Sequence, residues 1–168
     1  FYKKMIFKIK KHNSNLYTTL LYLSRNMYFY DKIRLKDTYE TRIYLMFMHF
    51  SLILIIFKNK NFKFPQDVYD NLFFCIENNL RELGFGDVAV NKKMKDLNKI
   101  LYDILLKINI NKTDFKINKD LICKYFTELN NSNEEKLSNL EVYFTKLYHF
   151  CFDKDPKTMI QDALKFKI

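Results

Sequence analysis

The chain has 168 residues, a net charge of +10, 48% apolar residues including 17 Phe and 12 Tyr, and only two Gly and two Pro. That length suits one buried core, and the apolar content excludes a mostly disordered chain. So few turn residues exclude an all-β sandwich, whose hairpins need them at regular intervals.

Lys3, Lys4, Lys8, Lys10 and Lys11 precede the first acidic residue, Asp31, so residues 1–12 read as a basic arm ahead of a single helical domain over 13–168. Lysines break every apolar run there, unlike a secretory leader, and the scarcity of Arg and Ser is unlike a transit peptide. Asn13, Ser14 or Asn15 caps a first helix running to about Tyr30, with Leu16, Leu20, Leu23 and Met27 at helical spacing. Asp37 with Glu40 three positions on is a capping-box signature, opening a second helix through Ile43, Leu45, Phe47, Phe50, Leu54 and Phe57.

Between Ile43 and Phe57 only His49 and Ser51 are polar, and Lys58-Asn59-Lys60-Asn61 follows at once. Spanning a bilayer takes ~20 apolar residues, so this run is expected to be a central helix surrounded by others. Pro65, Asp67 and Gly84 punctuate a third helix from Pro65 to Leu83, with Leu72, Phe73, Ile76, Leu80 and Leu83 as its buried stripe. A fourth starts near Asn91 and buries Met94, Leu97, Leu101, Ile104 and Ile108, with Lys92, Lys95 and Lys99 on another face.

The polar segment Ile110 to Asn118 reads as a connection, after which Asn118 caps a short helix reaching Leu129. Ser132 or Asn133 opens another, through Leu137, Leu140, Phe144, Leu147 and Cys151, and Asp155-Pro156 starts a terminal helix with Met159, Ile160, Ala163, Leu164 and Phe166. The expected fold is all-α: a single compact bundle of about six or seven helices around one near-fully buried central helix.

Nothing in the chain matches a phosphate-binding loop, a dinucleotide fingerprint, a nucleophile elbow or a zinc-protease helix. Cys75, Cys123 and Cys151 form no close pair, and His12, His49 and His149 are scattered, so no metal site, catalytic residue or cofactor is nominated. A small enzyme pairing His49 with Asp87 or Glu82 is the weakest alternative. The charge points to a polyanion, nucleic acid or an anionic membrane surface. Arg occurs only at positions 25, 34, 42 and 81, against specific DNA recognition, and the excess of Lys, Asn, Ile and Phe is what an AT-rich genome produces.

Both glycines fall within Leu80–Val90, so the backbone elsewhere is expected to avoid conformations that need glycine. The bland reading of this corner is a helix end followed by a second turn. The functional reading is a docking corner with Phe85 at its tip and a charged rim, formed by Arg81, Glu82, Gly84, Phe85, Gly86, Asp87, Val90, Lys92 and Lys93.

The same stretch resembles the signature of the ubiquinol-cytochrome c chaperone family: L-R-E-(L/M)-G-x-G-D-(L/V)-x-V, a variable residue, a basic pair and a later F/L-Y. Leu80 to Val90, Lys92-Lys93 and Leu101-Tyr102 supply it. Upstream, Tyr30-Asp31, Asp37-Thr38, Arg42 and His49 resemble further family positions, so the likeness covers residues 16 to 108 and extends more weakly beyond. Thr41 stands where a Gly is common, and Cys75 and Glu77 where bacterial relatives carry two Asp. The resemblance implies an α-helical, non-enzymatic assembly factor for the ubiquinol-cytochrome c reductase complex, acting on newly made cytochrome b. In mitochondrial members it implies a small partner protein and the ribosome exit region. The location it implies is a bacterial cytoplasm, peripheral to the inner membrane, or the mitochondrial matrix in a eukaryote. The alternative is a basic helical protein that binds nucleic acid or the ribosome.

Overall fold

The computed structural model describes residues 15–108, 116–130 and 134–168. Its helices are α1 (Asn15–Ser24), α2 (Tyr39–Asn59), α3 (Gln66–Glu82), α4 (Asp87–Ile108), α5 (Lys119–Tyr125), α6 (Glu134–Phe152) and α7 (Met159–Asp162). Among the described residues there is no strand. The all-α bundle has α2 at its centre, packed against α1, α4 and α6, while α3 packs on α1 and α4, and α7 on α1.

The first helix stops earlier than its apolar spacing suggests. At Ser24 the hydroxyl donates back to the Leu21 carbonyl at 3.0 Å, and the Ser24 carbonyl accepts the Tyr30 hydroxyl at 2.8 Å. Such local bonds compete with helix continuation. The Asn26 side chain then accepts the Tyr28 amide at 3.0 Å and a single π-helical turn, Tyr28–Lys32, follows, which seats Phe29 fully in the core. Leu16, Leu20 and Leu23 are buried as expected, but Met27 is exposed. Asn13 and Ser14 lie outside the described residues.

Thr38, not Asp37, caps α2: its Oγ1 accepts the Thr41 amide at 3.2 Å. Asp37, left free of that role, receives the Arg42 guanidinium through two bonds of 2.6 and 2.7 Å. α2 is long and apolar enough to cross a membrane, yet 78% of its apolar window is buried inside the protein, so its hydrophobicity is accounted for by the core it fills.

α3 and its ends follow the sequence pattern except at Phe73, which is half-buried, and at Leu83, which caps the helix and is exposed rather than buried. α4 begins at Asp87, a full turn before Asn91, because the Gly86 carbonyl already accepts the Val90 amide at 2.9 Å and Asp87 favours a first helical turn. Asn118 caps α5 as expected, accepting the Asp120 amide at 2.9 Å. The helix breaks at Phe126, whose side chain is buried and whose backbone (φ −118°, ψ 74°) is non-helical, and Leu129 belongs to a separate 3₁₀ turn. The expected caps Ser132 and Asn133 lie outside the described residues, as does most of the connection before Asn118. The terminal helix starts at Met159, later than Asp155-Pro156, and Phe166 is extended beyond it.

Glycine is not the sole visitor to the left-handed region. Arg34 (φ 66°) and Asn61 (φ 58°) adopt it as well, after the π turn and after α2. Asn bears this conformation readily through its short polar side chain, so the expectation that it would be confined to the glycine pair is corrected.

Candidate functional site

The corner between α3 and α4 is built by a Schellman-type helix end. The Phe85 amide bonds to the Leu80 carbonyl at 3.3 Å and the Gly84 amide to the Arg81 carbonyl at 2.9 Å. Gly84 takes a φ of +90°, the step that reverses the chain. Gly86 has no positive φ, and a Cβ added to either glycine would meet nothing within 4 Å. Gly84 is therefore required by backbone conformation, whereas nothing within the described fold requires glycine at position 86.

Arg81 staples the two helices. Its guanidinium meets Glu77, one turn back on α3, at 2.8 Å, and Asp87, at the start of α4, through its other terminal nitrogen. The Glu77 and then the Asp87 carboxylate push its already high pKa further up. Beyond the staple the corner is open. Leu83, Phe85 and Val88 are 55%, 37% and 85% exposed. The Lys93 ammonium sits 4.6 Å from the centre of the Phe85 ring, a cation–π contact that partly covers it.

The nine residues singled out from the sequence thus divide. Arg81 and Asp87 are joined to each other, Phe85 and Lys93 are in contact, and Glu82 and Lys92 are exposed with no ion pair among the described residues. Gly84 and Gly86 form the exposed bend. Val90 is fully buried and faces the core, because α4 already runs helically there, so it offers no contact surface. Three contributors were missed. Glu77 completes the staple, and its spacing of four from Arg81 was the available signal. Leu83 falls at the cap, where the α3 stripe ends. Val88 lies out of phase with the buried stripe Val90, Leu97, Leu101, Ile104 and Ile108, a signal that appears only once α4 is started at Asp87.

Beside the corner, a cleft of ≈ 170 Å³ opens between α2 and α4, bordered by Lys93 and Asp96 and floored by Ile43, Leu80 and Leu97. His49 has no part in either. It is buried in α2, its Nδ1 2.6 Å from the Leu45 carbonyl and its Nε2 3.0 Å from the Tyr143 hydroxyl of α6. A carbonyl only accepts, so Nδ1 carries the proton and Nε2 accepts from Tyr143. Phe29 and Phe144 flank the ring. Desolvation lowers the His49 pKa to about 4 and raises that of Tyr143, which fixes the neutral forms this bond needs. Both ring nitrogens are engaged within the core, so His49 is not available to Glu82 or Asp87. Among the described residues no group of three His, Cys, Asp or Glu side chains could hold a metal ion.

The family model for the ubiquinol-cytochrome C chaperone matches residues 31–142, most of the chain, from the π turn through α2, α3, the corner and α4 into α6. The chain belongs to that family. No curated protein and no solved structure matches it. As a ubiquinol-cytochrome C chaperone it has a role in assembling the ubiquinol-cytochrome c reductase complex, and its client is a protein of that assembly. The chaperone's corner and central helix both lie inside the matched residues.

Proposed function

We propose that this chaperone acts without catalysis, holding newly synthesised cytochrome b through the α3–α4 corner until the client's partners are in place. The observation that carries the reading is the apolar display of Leu83, Phe85 and Val88 on a stapled bend, rimmed by Glu82, Lys92 and Lys93. Apolar anchors inside a polar rim are the usual anatomy of a protein interface. A nascent membrane protein supplies the complementary chemistry, since its helices are apolar and lack their final neighbours. A small partner subunit and the ribosome exit region complete the proposed setting. Lysines on the chain hold it close to an anionic bilayer, in a bacterial cytoplasm or in the mitochondrial matrix.

A second reading is favoured by one feature. Lys92, Lys95 and Lys99 are exposed along α4, and such a row suits phosphates of nucleic acid or ribosomal RNA. Photocrosslinking separates the two. A crosslinker at Val88 is expected to capture cytochrome b in growing cells, and Val88→Glu to reduce that capture and reductase assembly while leaving thermal stability intact. Capture of ribosomal RNA instead, or normal assembly by the Val88→Glu protein, would refute the client reading.

A further inference from the structure

The outward face of α4 carries an ordered stripe. Val88, Lys92, Lys95, Lys99, Tyr102 and Leu106 recur at alternating intervals of four and three, which at about 3.6 residues per turn places them on one side of the helix. The buried residues Val90, Leu97, Leu101, Ile104 and Ile108 occupy the opposite side, so the stripe points away from the core, and all six of its residues are exposed. Val88 belongs to the client corner. The far end holds Tyr102 and Leu106, 56% and 75% exposed. A single exposed leucine needs no explanation, but one that continues a row of lysines does.

The charges of the stripe are available. Lys92 and Lys95 make no ion pair among the described residues, and Lys99 has only Asp96, at 3.8 Å and itself exposed. The other carboxylate flanking the stripe, Asp103, is taken by Lys107 and Lys124. No carboxylate lies on the stripe itself, and none of the four arginines lies on α4.

The order of these groups selects the surface they fit. A protein interface gathers apolar residues at its centre and charges at its rim, the reverse of a lysine row that runs out into tyrosine and leucine. Nucleic acid phosphates would pair with the lysines and leave Leu106 in water. An anionic bilayer matches both: the ammonium groups reach the headgroups while their stems, the Tyr102 ring and Leu106 enter the boundary beneath. Charge and apolar insertion together make peripheral binding firm where either alone is marginal.

We propose that the outward face of α4 from Lys92 to Leu106 is a membrane-docking surface, which lays the helix along an anionic bilayer with Leu106 inserted. The proposal rests on the bilayer location of the proposed function and deepens it by naming the face. In that orientation the client corner sits at the bilayer surface, with Val88 about 27 Å along α4 from Leu106.

The chain contains no Trp, so Leu106→Trp introduces a single fluorescent reporter at the contact, and Val142→Trp on the exposed side of α6 serves as the control. The full chain is expected to bind phosphatidylglycerol vesicles and not phosphatidylcholine vesicles, with the Leu106→Trp emission moving to the blue and the Val142→Trp emission unmoved. Leu106→Gln weakens vesicle binding about tenfold, the scale of one leucine side chain returned to water, without lowering the melting temperature. Replacing Lys92, Lys95 and Lys99 by Gln weakens it about a hundredfold at low salt. The proposal fails if vesicles of the two lipids bind alike, or if the Leu106→Trp emission stays that of a water-exposed indole in the bound chain, which places the contact elsewhere. It fails too if Leu106→Gln costs nothing, which leaves the lysines to a nucleic acid. Absence of any vesicle binding overturns it together with the bilayer location. The client reading is scored separately, by capture of detergent-solubilised cytochrome b, which needs no bilayer and responds to Val88→Glu.

Discussion

The two glycines of the corner do different physical work, although the sequence presents them as a pair. At Gly84 the chain turns through φ +90°, which side chains of L residues rarely adopt. Gly84→Ala is expected to cost about 1–2 kcal/mol for the left-handed strain, read as a lower urea midpoint. At Gly86 the φ is ordinary and a Cβ finds open space, so Gly86→Ala is expected to change stability by less than about 0.5 kcal/mol. Equal destabilisation by both substitutions would show that the bend is held in some other way. Should Gly86→Ala also impair client capture at unchanged stability, the requirement for glycine there comes from the bound partner's close approach.

At the scale of elements, the bolt between α2 and α6 is the His49–Tyr143 bond, and it makes a pH-dependent contribution whose sign is fixed. In the folded chain burial lowers the His49 pKa to about 4, against 6.5 when unfolded. Between those values the unfolded chain binds a proton that the folded chain refuses. Stability from this group is complete above 6.5 and is lost as pH falls toward 4, by about 3 kcal/mol in all. Asp103 does not blur that window. Partial burial pushes its carboxyl up, but Lys107, Lys124 and Tyr125 together hold it well below the usual carboxylate range, so its contribution is lost only at lower pH. Urea unfolding at stepped pH should show the slope between 4 and 6.5, and His49→Gln should flatten it whatever its overall stability. The burial behind this was readable in advance, since the apolar run around His49 has no polar face. Its partner was not: Tyr143 is ninety-four positions away, and only packing brings it there. The same division holds elsewhere. Periodicity located α2, α3 and the buried face of α4, whereas the end of α1 turned on side-chain bonds from Ser24 and Asn26, and the start of α4 on a glycine carbonyl. At the corner, the ions and glycines stood out in sequence, but the exposure of Leu83 and Val88 depended on where each helix began and ended.

For the whole molecule the question is how a net charge of +10 divides between location and recognition. Salt separates the two because screening acts on exposed charges and barely on buried apolar contact. Were Lys92, Lys95 and Lys99 to neutralise three phosphates, affinity would follow a log–log slope of about −2.7, a loss of about 40-fold between 50 and 200 mM salt. Contact through Leu83, Phe85 and Val88 has no such dependence, and the Arg81 staple lies within the chaperone, not across the interface. Cytochrome b bound to purified chaperone is therefore expected to lose less than about threefold affinity over that range, while association with anionic vesicles falls steeply, each Lys near the surface contributing about 1 kcal/mol at low salt. Parallel salt curves for client and vesicles would place the lysine face, rather than the apolar corner, at the centre of client recognition. Replacing the three α4 lysines by Gln sharpens the comparison, because it removes the steep component and leaves the apolar display untouched.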